Sequence, residues 1–382
     1  MQQPSRRLPA RLGWTAAAAT LVASAAVVTA LLVETASGSP AASCRWRKAG
    51  PPRLSPVVSV ESVAARSAKD VWLAGFAYRS SADDGMASWH WNGKRWVGVG
   101  VKGLTATVSP LFSVASSGRD AWAVGRTASG ALALHWNQRF RDHLGYTWWA
   151  RVPVPRALGR AGLNSVAMIS RREVWAVGDG IVLRWRGSWS RVLTPPFVNS
   201  WTGLAVARIA GTSEVWITGY DQDLDQWRAA RWTGLGWVDS TVAPGLIHSR
   251  PGLNIAAVSS SDAWIVGRSP QQKGRALVFH WDGSRWSAAG GLPLPAGRPS
   301  ELSGVVARNA NDVWAVGSYR LASGATRSLV LHWNGARWSR AAAPGTGLSE
   351  VTVVPGSRQA WAVGGSYLGK RLVLNNVLRY RC

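Results

Sequence analysis

Six acidic residues recur in one register: Asp70, Asp120, Glu173, Glu214, Asp262 and Asp312 each stand two positions before a tryptophan. An isolated acid in such a place would suggest acid/base catalysis. An acid in nearly every copy of a repeat points instead to a structural device, with the carboxylate accepting backbone N–H groups of a tight turn. His90, His135, His280 and His332 likewise each precede an aromatic, and Arg184, Arg231 and Arg379 hold that place in the other copies. A metal site would not tolerate that exchange, so these are read as hydrogen-bonding packing residues.

Irregular positions carry more information. Asp221, Asp223 and Asp225 alternate within Tyr220–Trp227, the densest acidic stretch of the chain. Calcium loops present oxygen ligands at such spacing, but the glycine and the distant glutamate of an EF-hand are missing, and Arg228 and Arg231 are near enough to neutralise the acids. No cofactor is required by the pattern, and calcium at these aspartates is the one metal reading it raises. Trp201, Tyr220, Trp227 and Tyr319 are candidate ligand-binding residues: amphipathic rings at a wet surface suit a sugar or an apolar anchor, although plugging gaps in the fold would use the same residues. Glu61, Asn164 and Glu350 fall early in apolar segments. If the two glutamates approach each other they are the candidate catalytic pair, since paired carboxylates perform glycoside hydrolysis. Neither a Gly-x-Ser-x-Gly elbow nor a His-Glu-x-x-His zinc pair occurs.

The elements that must hold these residues come from a repeat. Val-Trp-Ala-Val-Gly or a near copy recurs with its Trp at 72, 122, 175, 216, 264, 314 and 361. That period suits a four-stranded propeller blade, and seven copies make an all-β, seven-bladed β-propeller. In the sixth copy, 302–308, 313–319, 328–333 and 337–341 are short β-branched and aromatic runs separated by turn residues, with Asn334-Gly335 expected as a type I′ hairpin turn. The seventh copy ends without a fourth strand. Cys44-Arg-Trp-Arg-Lys-Ala matches the missing piece, so the amino-terminal strand is expected to complete the last blade and close the ring. Cys44 and Cys382, the only cysteines, then become neighbours and candidates for a disulfide. The rival reading makes Cys44 a lipid-modified first residue after export.

With its VWAVG…HWNGxxW units, the chain from 44 to 382 resembles secreted repeat proteins of high-GC Gram-positive bacteria, relatives of the kelch and sialidase-like propellers. The resemblance implies the fold and says little about chemistry. Kelch blades carry a Gly-Gly pair, found at the end of the repeat phrase only as Gly364-Gly365, and the sialidase Ser-x-Asp-x-Gly-x-Thr-Trp motif is absent.

Residues 1–38 read as a signal peptide or retained membrane anchor: Arg6, Arg7 and Arg11 precede an apolar stretch from Thr15 to Val33, followed by small residues. Residues 39–43 are a short linker. The arginines on the starting side direct the remainder outward, to an extracellular or cell-envelope location. Only 16% of residues are charged, yet the net charge is +25, which suits anionic partners. Without a helix-turn-helix, zinc finger or Lys/Arg run, nucleic acid is not the expected one. The sequence therefore points to a non-enzymatic binding module for an extracellular glycan, an anionic cell-wall polymer or a protein. The alternatives are a glycoside-active hydrolase or lyase with carboxylates at the channel mouth, and a structural protein anchored in the envelope.

Overall fold

A computed structural model describes residues 44–50, 58–78, 84–101, 110–138, 147–194, 201–221, 223, 226–243, 254–269, 274–368 and 371–382. Residues 1–43, the expected export segment and linker, lie outside them.

Seven antiparallel sheets form the blades of a ring. Blade six shows the pattern, with strands Ser300–Asn309, Asp312–Arg320, Thr326–Trp333 and Trp338–Arg340 running from the axis outward. Blade seven is built from Glu350–Val353, Ala360–Leu368 and Arg371–Arg381, and Arg45–Lys48 supplies its fourth strand. Trp46 pairs with Tyr380 and Lys48 with Leu378, so the two ends of the described chain close the ring as expected. Cys44 and Cys382 form a disulfide across that seam, with Cα atoms 3.9 Å apart. Blade two gains Gly100–Val101, parallel to its outer strand.

The outer hairpin turn departs from the expected type I′ geometry. Trp333 pairs with Trp338, which leaves a four-residue loop. Asn334 Oδ1 accepts the N–H groups of Ala336 (3.0 Å) and Arg337 (2.9 Å). The side-chain cap, with Gly335 at φ 93°, takes over the work of a two-residue turn. Asn92 and Asp282 cap their loops in the same way.

Blades are joined by aromatic packing. Each repeat Trp is almost fully buried and meets the aromatics that end the third strand and begin the fourth strand of the following blade. Trp72 lies 4.7 Å from Trp136 and 5.0 Å from Trp149, and Trp264 lies 5.7 Å from Trp333 and 5.6 Å from Trp338. At the seam Trp314 meets Tyr380 at 4.8 Å and Trp46 at 5.4 Å, and Trp361 meets Trp96 at 5.6 Å. Such edge-on pairs add about 0.5–1.5 kcal/mol each beyond the area they bury. The same cluster therefore recurs at every joint, including the one that closes the circle.

Candidate functional site

The repeated acids have a structural partner other than the one the sequence suggested. Instead of capping the turn, they cross to the third strand. His135 Nε2 lies 2.9 Å from Asp120, His280 3.0 Å from Asp262 and His332 3.1 Å from Asp312, while His90 and Asp70 stand at 3.3 Å. In blades three and four Arg184 reaches Glu173 at 2.6 Å and Arg231 reaches Glu214 at 2.7 Å. In blade seven Arg379 donates to Gln359 at 2.7 Å, so an amide stands where the other blades have an acid. Each imidazole stacks on its repeat Trp at 4.0–4.5 Å, and Arg184 and Arg379 lie over theirs at 5.0 and 5.2 Å. Antiparallel register places the residue opposite the Trp within reach of the acid, a relation that local spacing does not display. Hydrogen bonds from Arg184, Trp175 and Arg186 hold Glu173 below the usual carboxylate range against the opposing effect of burial. Burial keeps His135 below the ordinary imidazole value. This is packing chemistry.

A second recurring feature makes the channel mouth. The innermost strands carry a bulge just before their buried core residue, as between Val60 and Ser62, Leu111 and Ser113, Leu163 and Ser165, and Leu302 and Gly304. The bulge presses the strand onto its neighbour. A Cβ on Gly75, Gly125, Gly178 or Gly317 would overlap a carbonyl oxygen of the inner strand, which is why the repeat ends in glycine. The extra residue of each bulge is Glu61, Phe112, Asn164 or Ser303, and all four line one central cavity of about 730 Å³. The inner strands of all seven blades contribute to it, mostly through Ala, Val and Ser.

One position further on, serines tie the blades together at the axis. Ser62 Oγ accepts the N–H of Val114 (2.9 Å), Ser113 that of Val166 and Ser165 that of Val206 (both 3.2 Å). At the seam Glu350 occupies this seat, and its Oε2 accepts the N–H of Val63 at 2.9 Å. Gly304, in the same position of blade six, is required because a Cβ there would come 2.7 Å from Glu350 Cα. Glu350 and Glu61 line the same cavity and feel each other's charge. Burial pushes Glu350 up to about 7, against the lowering effect of the Ser62 hydroxyl and the Val63 N–H, and the Glu61 charge adds to the rise. Burial also raises Glu61, whose carboxylate accepts a hydrogen bond from Ser59. The two carboxylates therefore line one cavity from adjacent blades. Asn164, 3.0 Å from Asp179, lines the same cavity two blades away.

Two of the four candidate platform aromatics, Trp227 and Tyr319, pack in or against the core. Trp227 is 5% exposed and packs in the core between blades four and five. Trp227 and Ala229 share the buried face of their strand, an alternation readable in the sequence. Tyr319 packs against the core between blades five and six, away from blade four. Trp201 and Tyr220 are placed by backbone only: Trp201 pairs with Asp221, and Thr202 with Tyr220. The calcium reading changes too. Asp221 is 1% exposed and its carboxylate accepts the Asp223 N–H at 3.1 Å, whereas Asp225 lies outside the described residues. Among the described residues no three potential metal ligands cluster. Arg228 pairs with Asp239 and Arg231 with Glu214. Sequence reasoning missed Phe112 and Ser303: Glu61, Asn164 and Ser303 each stand eleven residues before their repeat Trp, but so does Glu350, which is not a bulge residue, and Phe112 stands ten before, so spacing alone does not give the row.

No protein-family model and no curated protein matches the chain. Solved structures match its architecture. YCF48 bound to a D1 peptide superposes with a TM-score of 0.57 at 12% identity, covering 88% of this chain and 96% of that one. YCF48 from Cyanidioschyzon merolae gives 0.54 at 12% identity, covering 88% and 98%. A prolyl endopeptidase gives 0.50 at 14% identity, covering 85% of this chain and 47% of its own. At these identities the likeness is one of fold.

Proposed function

We propose that the protein is a non-enzymatic binding module, exported to the cell surface or envelope, that takes a glycan, a wall polymer or a protein segment at the mouth of its central channel. One observation carries this reading. The framework repeats from blade to blade, yet the bulge residues it turns into the channel do not: Glu61, Phe112, Asn164 and Ser303 differ in charge, size and hydrogen bonding. Repetition serves the ring, and difference collected on one rim serves recognition. A rigid scaffold presenting a few unlike polar and aromatic groups around a concavity is how specific sites are built.

The test is binding of the protein to glycan and wall-polymer arrays at low and physiological salt. Saturable binding that survives salt and falls about tenfold or more in Phe112→Ala or Asn164→Ala supports the reading. Binding unchanged by both substitutions refutes the mouth as the site. Cell fractionation separates a released module from an anchored one.

A glycoside-active enzyme is the second reading, favoured by the two carboxylates in one cavity, one of them raised to about 7 by burial. Against it, Glu350 already accepts the Val63 N–H in the seat other blades give to serine. Release of reducing ends from an array ligand, abolished in Glu61→Gln, would establish the enzyme instead.

A further inference from the structure

The opposite face of the ring carries a different feature. Antiparallel strands put the turns between first and second strands, and those between third and fourth, at the end away from the mouth. In five successive blades these turns present exposed cations: Arg337 in blade six, Arg358 and Arg381 in blade seven, Arg95 in blade one, Arg119 in blade two and Arg172 in blade three. None of the six has an ion-pair partner among the described residues. The carboxylates beneath them, Asp70, Asp120, Glu173 and Asp312, are each bound to a His or Arg of the framework. In blades four and five the same turns hold Ile209–Ser213, Thr233–Gly236 and Ser259–Ser261, and Arg285 there faces Asp282 at 3.9 Å. The unpaired charge is densest in an arc over these five blades, while blades four and five add Arg208, exposed at the end of the fourth blade's inner strand.

We propose that this arc is a docking surface for an acidic polysaccharide, a linear polymer bearing an anionic group at each repeat. Guanidinium groups bind carboxylate and sulfate oxygens in paired fashion, and a row of them spaced blade by blade matches a polymer more than a single small anion. The face lacks what nucleic acid binding uses beyond charge. Its indoles Trp91, Trp281 and Trp333 are fixed in place, their Nε1 groups donating to Ala68 O, Ser260 O and Ala310 O at 3.1–3.2 Å and their rings packed against neighbouring indoles, so they do not form a row of open stacking platforms. The arc itself carries no large exposed hydrophobic among the described residues; Leu235, on the same face, sits in the turn of blade four beside it. The large exposed hydrophobics among the described residues, Leu193, Leu235 and Val238, follow the third blade or belong to the fourth, outside the arc. The surface is separate from the channel mouth, so the two assignments stand or fall independently.

The experiment uses the full-length chain, its quadruple variant Arg95→Gln/Arg119→Gln/Arg172→Gln/Arg337→Gln, and a charge-matched control on other exposed arginines, Arg126→Gln/Arg160→Gln/Arg298→Gln/Arg327→Gln. Binding to alginate and to heparin is measured at about 20 and 150 mM salt, with single-stranded DNA and anionic phospholipid vesicles alongside. The expected result is about tenfold or greater loss of polysaccharide affinity in the arc variant, and less than about twofold in the control. Circular dichroism confirms that both variants fold. Equal losses in arc and control would mean that net charge alone attracts polyanions, and would overturn the proposal. Tighter binding to DNA or vesicles than to either polysaccharide, with the same arc dependence, would overturn the choice of partner.

Discussion

Glu350 makes the stability of this ring depend on pH in a way its sister blades do not. Where blades one to three use a serine hydroxyl to hold the next blade, the seam uses a carboxyl group that is enclosed, next to Glu61 and raised from an ordinary value of 4.5 to about 7. A raised folded-state value means that the folded chain holds this proton more tightly than the unfolded chain. The associated stability is fully present below about pH 4.5 and is lost as pH rises through 7. At about 1.36 kcal/mol per unit, the shift corresponds to about 3 kcal/mol across that window. Glu61, raised by burial, acts in the same direction. His135 acts in the other, because burial lowers it and the folded ring gains stability as pH climbs towards the ordinary imidazole value of 6.5.

The variant Glu350→Gln isolates the effect. Its amide oxygen can still accept the Val63 N–H, while the charge is removed. Urea unfolding of both chains from about pH 4.5 to 8 then yields a difference in which His135 and every other shared group cancels. The wild-type chain should lose about 3 kcal/mol relative to the variant across the range, most of it between about pH 5 and 7, with the difference levelling off above 7. Parallel pH profiles for the two chains would refute the argument, since they would mean that Glu350 titrates in the ring as it does in water.

Two further outcomes test the framework. Gly75→Ala should cost about 3 kcal/mol or more by chemical denaturation because its Cβ has nowhere to go but into the Ser59 carbonyl, whereas Gly98→Ala, with open space around it, should stay within about 0.5 kcal/mol. The double variant Cys44→Ser/Cys382→Ser opens a loop whose ends are 338 residues apart; chain entropy assigns that closure about 5 kcal/mol, so its melting temperature should fall well below that of the oxidised chain.

The ring was legible in the sequence because its signals are local. Trp positions count the blades, Asn-Gly and Asp-Gly mark the outer turns, and a fourth-strand pattern at Trp46 with none at the carboxyl end implies the seam. What the sequence hid depends on strands far apart in the chain. The acids looked like turn caps because a turn lies beside them; their real partners, such as His135 for Asp120, come from the facing strand. The bulge at Glu61 is invisible without the register to Gly75, and with it went the row that includes Phe112 and Ser303. Trp227 was misread for another reason: an aromatic in an irregular segment suggests a surface site, but its alternation with Ala229 had already assigned it to the core.

Those misses and successes locate recognition in the same place. Residues that repeat are occupied: acids with His or Arg, tryptophans with the next blade, glycines beneath a carbonyl, serines with the next inner strand. Side chains left for a partner are those the framework presents without using, namely the unlike bulge residues at the mouth and the unpaired arginines on the turns. Glu350 belongs to both groups. It holds the seam as serine does elsewhere, yet a hydroxyl would hold it without a buried charge beside Glu61. Ring closure alone therefore does not account for a carboxyl group in that seat, and under the proposed function Glu350 has a second task, because it lines a cavity whose other polar groups differ from blade to blade.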